Sequence, residues 1–173
     1  IGIDLGGTKI AGAAFSDVDG DGCIDAVINT FDSAVMTHLF IGRCALGFSD
    51  ITATQAPGLL THVTERSVLF ADFDNDGRPE LVRNSDTVVQ LFHNRGPGNA
   101  PLYGATPVFE RLTDAGSGPN DALNSETLGA ADVNADGWLD LIVESTGVDL
   151  WVQAADAGLR FERRFDAGFP VVQ

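Results

Sequence analysis

One nine-residue pattern, D-x-[DN]-x-D-G-x-x-[DE], occurs three times in this 173-residue chain. The three segments align without gaps: FSDVDGDGCIDAVI at 15–28, FADFDNDGRPELVR at 70–83 and AADVNADGWLDLIV at 130–143. Their first acids, Asp17, Asp72 and Asp132, are spaced by 55 and 60 residues. A recurring period of that size is the mark of a repeat architecture, in which each unit buries its apolar faces against its neighbours.

The flanks repeat with the loops. A small or apolar run leads in at 11–15, 67–70 and 128–131, and another leads out at 24–29, 81–83 and 139–144. A third follows at 38–41, 88–93 and 148–152, and a fourth at 46–52, 107–112 and 159–165. Val, Ile, Phe, Leu and Thr dominate these runs, which suits pleated, half-buried surfaces. Gly and Pro interrupt them too often for helices. Each unit therefore reads as four short strands. The expected fold is all-β, a partial β-propeller of about three four-stranded blades covering 1–65, 66–125 and 126–173. The acidic loops would join the first and second strands of each blade. Propellers close with about 4–8 blades, so three call for more chain or for other copies.

The loop pattern points to a hard cation. Acids at positions 1, 3 and 5 can turn inward around one centre. Position 7 can add a backbone carbonyl and position 9 a further acid. Gly22, Gly77 and Gly137 at position 6 permit the sharp turn that wraps these groups together. That gives ligand sets of Asp17, Asp19, Asp21, Cys23 and Asp25; of Asp72, Asp74, Asp76, Arg78 and Glu80; and of Asp132, Asn134, Asp136, Trp138 and Asp140. Ca2+ accepts six to eight oxygens, whereas Mg2+ demands tighter octahedral geometry. Up to three Ca2+ are expected. An EF-hand opens in the same way but needs Glu at position 12 between helices. Position 12 here is Ile28, Arg83 and Val143, each in a strand-like run. Asn134 replaces an acid at position 3, so the third loop is expected to bind least tightly.

The formal net charge of −15 fits this reading. Eleven of the 25 acidic residues lie in the three loops, and three dications would bring the charge to −9. So acidic a surface repels nucleic acid and anionic lipid. No apolar stretch approaches the 18 residues of a membrane span. No signal peptide is visible, and a chain that starts at Ile1 and stops at Gln173 is expected to be part of a longer polypeptide.

The three segments resemble FG-GAP/VCBS repeats, found in the integrin α-chain propeller and in many secreted bacterial proteins. Leu91-Phe92-His93-Asn94 is similar to a strand common in the bacterial branch, and 12–14 is the nearest approach to the family's Gly-Ala-Pro signal. The resemblance implies a β-propeller with Ca2+ in the loop between the first two strands of a blade, held by the residues named above. It implies an extracellular, periplasmic or cell-surface module that binds a protein or a glycan. A Ca2+-dependent polysaccharide lyase or another secreted carbohydrate-active enzyme is the alternative. A second resemblance is local: IGIDLGGTKI at 1–10 is similar to the phosphate-binding hairpin of ROK-type sugar kinases. Such kinases need about twice this length, a catalytic Asp in a second segment and strand–helix alternation, none of which follows here, so the kinase is the remote reading.

Other residues give less. Cys23 and Cys44 flank the second and third strands of the first unit, where an antiparallel hairpin would set them opposite each other as a disulfide or as two thiols. His38, His62 and His93 are scattered and read as packed or surface residues. Trp138 and Trp151 read as blade packing. No nucleophile elbow is present. The long loops at 94–107 and 114–125 are where a propeller would present a binding surface.

Overall fold

The computed structural model describes residues 3–31, 36–60, 65–85, 89–96, 109–111, 127–144, 148–155 and 159–164. His62, most of the loop at 94–107, all of that at 114–125, and the ends of several expected strands (Val88, Pro107, Leu112, Phe165) lie outside them.

Among the described residues the chain forms three four-stranded antiparallel sheets and almost no helix. The first contains β1 (Ile10–Ser16), β2 (Asp25–Thr30), β3 (His38–Gly42) and β4 (Phe48–Asp50), in that order. The second runs β5 (Glu65–Ala71), β6 (Glu80–Ser85), β7 (Val89–Asn94) and β8 (Phe109–Arg111). The third runs β9 (Thr127–Ala131), β10 (Asp140–Glu144), β11 (Val148–Gln153) and β12 (Phe161–Arg164). Successive sheets meet through their first strands, β1 against β5 and β5 against β9. This is an all-β fold of partial β-propeller type, with no closed ring among the described residues.

Burial on both faces explains the apolar runs. In β6 Leu81 faces a cluster shared with the first sheet, with Val27, Leu39, Ile41 and Phe92. Its neighbour Val82 faces the opposite cluster, with Leu91, Leu141, Val143 and Trp151. Period-two alternation thus delivers apolar side chains to both sides, so the adjacent Leu81 and Val82 are both apolar and do not alternate with a polar residue. Leu81 and Val82 are both fully buried, and truncating such a Leu to Ala costs about 2–5 kcal/mol.

The outer face of the first sheet is covered by the N-terminal segment. Ile3 and Leu5 pack on Ala26, Ile28 and Phe40. Asp4 Oδ1 accepts the Gly6 N–H at 2.8 Å, and Gly6 and Gly7 take positive φ, so 4–8 forms a turn leading into β1. The glycines of the kinase-like motif serve that turn.

A buried arginine bridges the first two units. Arg83 on β6 donates to Thr37 Oγ1 (3.0 Å), the Leu59 carbonyl (2.9 Å) and Gln90 Oε1 (2.8 Å), and it lies over the Phe92 ring. The fourth strand of the first sheet is shorter than its apolar run suggested. Thr52 starts one helical turn (Thr52–Gln55), and its N–H and hydroxyl both donate to Asp50, which ends the strand. His38 Nδ1 lies 2.7 Å from Asp50 Oδ2. Cys23 and Cys44 form a disulfide with Cα atoms 5.1 Å apart. Among the described residues no helix is long and apolar enough to cross a membrane.

Candidate metal centre

The three acidic loops are the β1–β2, β5–β6 and β9–β10 connections, and they share one internal geometry. The position 1 carboxylate accepts the position 5 N–H at 3.1 Å in all three, from Asp21, Asp76 and Asp136. It also accepts the position 6 glycine N–H, at 2.8 Å in Gly22, 3.0 Å in Gly77 and 2.9 Å in Gly137. Position 5 in turn accepts the N–H of Cys23, Arg78 or Trp138. Position 6 is left-handed in every loop, as the glycines predict. Position 4 is left-handed as well, in Gly20, Asn75 and Ala135. Only Gly20 and Asn75 announce this conformation by residue type, because Ala135 carries no such preference.

Position 9 is the first residue of the second strand in each sheet, and Asp25, Glu80 and Asp140 are fully buried there. Each accepts the position 2 N–H of its own loop: Val18 at 2.7 Å, Phe73 at 2.9 Å and Val133 at 3.0 Å. Each also accepts a backbone N–H from the third strand: Gly42 at 2.7 Å, Asn94 at 3.3 Å and Gln153 at 2.9 Å. The acid therefore ties loop, second strand and third strand together. Gly42 holds its place because a Cβ would meet the Ile24 carbonyl oxygen at 2.1 Å.

Burial dominates the electrostatics of Asp25 and Glu80. It pushes Asp25 up to about 6 and Glu80 up to about 8, against the opposing effect of the N–H groups that each accepts. Burial also raises Asp19 and Asp74, with the neighbouring loop carboxylates adding to the effect. Ionising these acids is therefore costly in the metal-free chain, and a bound cation would relieve that cost.

The expected ligands converge in part. Carboxylate oxygens of Asp17, Asp19 and Asp25 all lie within 4.8 Å of one another, as do those of Asp72, Asp74 and Asp76. Asp19 Oδ2 is shielded from solvent and has no hydrogen-bond partner. An orphaned carboxylate oxygen among other hard oxygens fits a Ca2+ ligand. The second loop differs in that the Arg78 guanidinium pairs with the Asp76 carboxylate. In the third, Asn134 Nδ2 donates to Asp136 Oδ2 at 2.9 Å, so the amide both removes a charge and engages a remaining one.

His93, expected as a packed or surface residue, stands beside the second loop. On β7 its Nε2 lies 3.1 Å from Asp74 Oδ2 and 4.0 Å from Glu80 Oε1. Strand pairing sets Phe92 opposite Leu81, Phe40 opposite Ala26 and Trp151 opposite Leu141, so His93 corresponds to Ile41 and Val152. A polar residue at a position that is apolar in both other units was the available signal.

A family model described as an FG-GAP-like repeat matches residues 17–83 and 72–143. No curated protein matches the chain.

Proposed function

The chain belongs to the FG-GAP-like repeat family, and from that premise we propose that it is a calcium-binding β-propeller module of an extracellular, periplasmic or cell-surface protein that engages a protein or glycan ligand. The observation that carries the calcium reading is the convergence of Asp17, Asp19 and Asp25, with Asp19 Oδ2 lacking a hydrogen-bond partner. Asp17, Asp19, Asp21 and Asp25, with the Cys23 carbonyl, are the residues that would hold the ion in the first loop. Their counterparts in the other loops are Asp72, Asp74, Asp76, Glu80 and the Arg78 carbonyl, and Asp132, Asn134, Asp136, Asp140 and the Trp138 carbonyl. Calcium would supply positive charge at the junction of the first two strands, where the chain itself gathers mostly negative. Its role in this reading is architectural, fixing the blades that display the binding surface.

The disulfide supports an oxidising compartment, and FG-GAP repeats typically occur in extracellular or surface proteins. Further blades, of this chain or of another copy, are supported by position 2 of the loops. Val18 and Phe73 are 1% and 0% exposed beneath the neighbouring sheet, whereas Val133, the same position in the third unit, is 40% exposed.

Thermal unfolding with and without metal tests the calcium reading. A ligand bound only to the folded state stabilises it by about 2.7 kcal/mol at a hundredfold excess over Kd. Stripping divalent ions should lower Tm, and adding Ca2+ back should restore it. An unchanged Tm, with metal content measured before and after stripping, would overturn the reading.

A further inference from the structure

We propose that the second unit carries a site for a transition-metal dication of the Zn2+ class, formed by His93, Asp74 and Glu80. The other two units do not offer it, because Ile41 and Val152 stand where His93 stands. The site shares two carboxylates with the proposed calcium loop, yet it needs no calcium there.

The argument begins with what His93 lacks. Its Nε2 is shielded from solvent and makes no hydrogen bond, although Asp74 Oδ2 is only 3.1 Å away. A proton between them would make an ordinary hydrogen bond if the geometry allowed one. The nitrogen instead lies beside Asp74 without a hydrogen bond to it, and Glu80 Oε1 stands beyond hydrogen-bond reach. One ligand atom from each of the three residues lies within 4.8 Å of the others. Two donors at about 2.1 Å from one ion stand no more than about 4.2 Å apart. The separations of 3.1 Å and 4.0 Å from His93 Nε2 both meet that limit.

The donor set selects the ion. Imidazole suits Zn2+, Cu2+ and Ni2+, whereas Ca2+ takes oxygen ligands. Two carboxylates and one imidazole leave further positions for water. The carboxylates are already oriented, since Glu80 Oε2 accepts the Phe73 N–H at 2.9 Å and Asp74 Oδ1 accepts the Asp76 N–H at 3.1 Å. Such outer partners are the usual support of a metal ligand. Glu80 is also one carbon longer than Asp25 and Asp140, so its carboxylate reaches further from the β6 backbone towards His93.

The test uses the metal-stripped chain and Zn2+ alone, followed by calorimetry. One equivalent should bind, and His93→Asn should weaken that step at least about tenfold, since losing even an outer partner of a ligand costs about 10–100-fold. Ca2+ binding at the first and third loops, which His93 does not touch, should match the parent in the same variant, which separates this site from the calcium reading whichever way that reading falls. Proton NMR of the imidazoles needs no folded variant. Of three histidines, the one assigned to His93 should shift with the first equivalent of Zn2+. Unchanged Zn2+ affinity in His93→Asn, or Zn2+ binding that leaves the His93 resonance in place, overturns the proposal.

Discussion

Gln153 Nε2 donates to the carbonyl of Phe73, 80 residues away, at 2.8 Å. Asn94 Nδ2 donates to the carbonyl of Val18, 76 residues away, at 2.9 Å. These are one interaction made twice. Asn94 and Gln153 end the third strands of their sheets, and Val18 and Phe73 are position 2 of the preceding acidic loop. The same two residues give their backbone N–H to Glu80 and Asp140. A single residue thus links the buried acid of its own sheet to the loop of the sheet before it. Gly42, the corresponding residue of the first sheet, has no side chain to do so.

Breaking this clasp should loosen the array. Gln153→Met keeps volume but leaves the buried Phe73 carbonyl without its donor, a loss of about 1–3 kcal/mol. Urea unfolding should show it as a lower midpoint. The transition should also broaden or split, because units that touch only their neighbours unfold separately once an interface weakens. An unfolding free energy within about 0.5 kcal/mol of the parent, the usual range for a neutral surface change, would show that the clasp contributes little.

The stability of the metal-free chain should fall as pH rises, contrary to the usual behaviour of a protein rich in paired carboxylates. Asp25 and Glu80 have folded-state values raised to about 6 and about 8, above their ordinary 3.8 and 4.5. A group raised in the folded state contributes stability below its ordinary value and loses that contribution as pH climbs through the folded one. The loss therefore runs from about pH 4 to 6 for Asp25 and from about pH 4.5 to 8 for Glu80. Calcium requires the ionised acids, so its stabilisation should grow over the same interval. The measurement is Tm from pH 5 to 8, stripped and Ca2+-loaded. Glu80→Gln, neutral throughout, should flatten the stripped profile. An equally steep profile in that variant would assign the slope to the general repulsion of a chain at −15.

The disulfide and the first loop should be coupled. Cys23 is position 7 of that loop, and its bond to Cys44 closes a separation of 21 residues. Loop-closure entropy gives such a cross-link about 3 kcal/mol. Reduction should cost stability of that order and weaken Ca2+ binding by one site, leaving the second and third loops unaffected. Calorimetric titration before and after reduction reads both. Equal weakening of all three sites would mean that reduction acts on the whole array and not on the loop.

The parts of this molecule that were legible in the sequence are those that repeat. Three aligned Asp-Gly loops gave the units, and the apolar runs beside them gave four strands each, because a strand buried on both faces has a continuous run to show. What escaped depends on register between strands. His93 meets Asp74 and Glu80 only because β7 pairs with β6 so as to set Phe92 opposite Leu81. Nothing local in Leu91-Phe92-His93-Asn94 states that pairing. Arg83, which the sequence offers only as a residue unfit for an EF-hand, is a buried donor to Thr37 and the Leu59 carbonyl of the first unit. Thr52 looked like strand, but its hydroxyl and N–H close on Asp50 and turn the chain into a helix.

The left-handed position 4 of the loops yields the last prediction. Gly20 has φ 77°, Asn75 56° and Ala135 59°. An L-residue without a polar side chain carries about 1–2 kcal/mol of strain in that region. Ala135→Gly removes it but frees the unfolded chain, which costs about 0.4–1 kcal/mol. The net gain should be about 0.5–1 kcal/mol in the metal-free chain, read from denaturant unfolding. Gly20→Ala should lose a similar amount. A Cβ at Gly20 meets nothing within 4 Å, so the change there is one of backbone alone. The two variants must therefore move in opposite directions. A stabilised Gly20→Ala, or a destabilised Ala135→Gly, would show that the loops do not hold this conformation in solution.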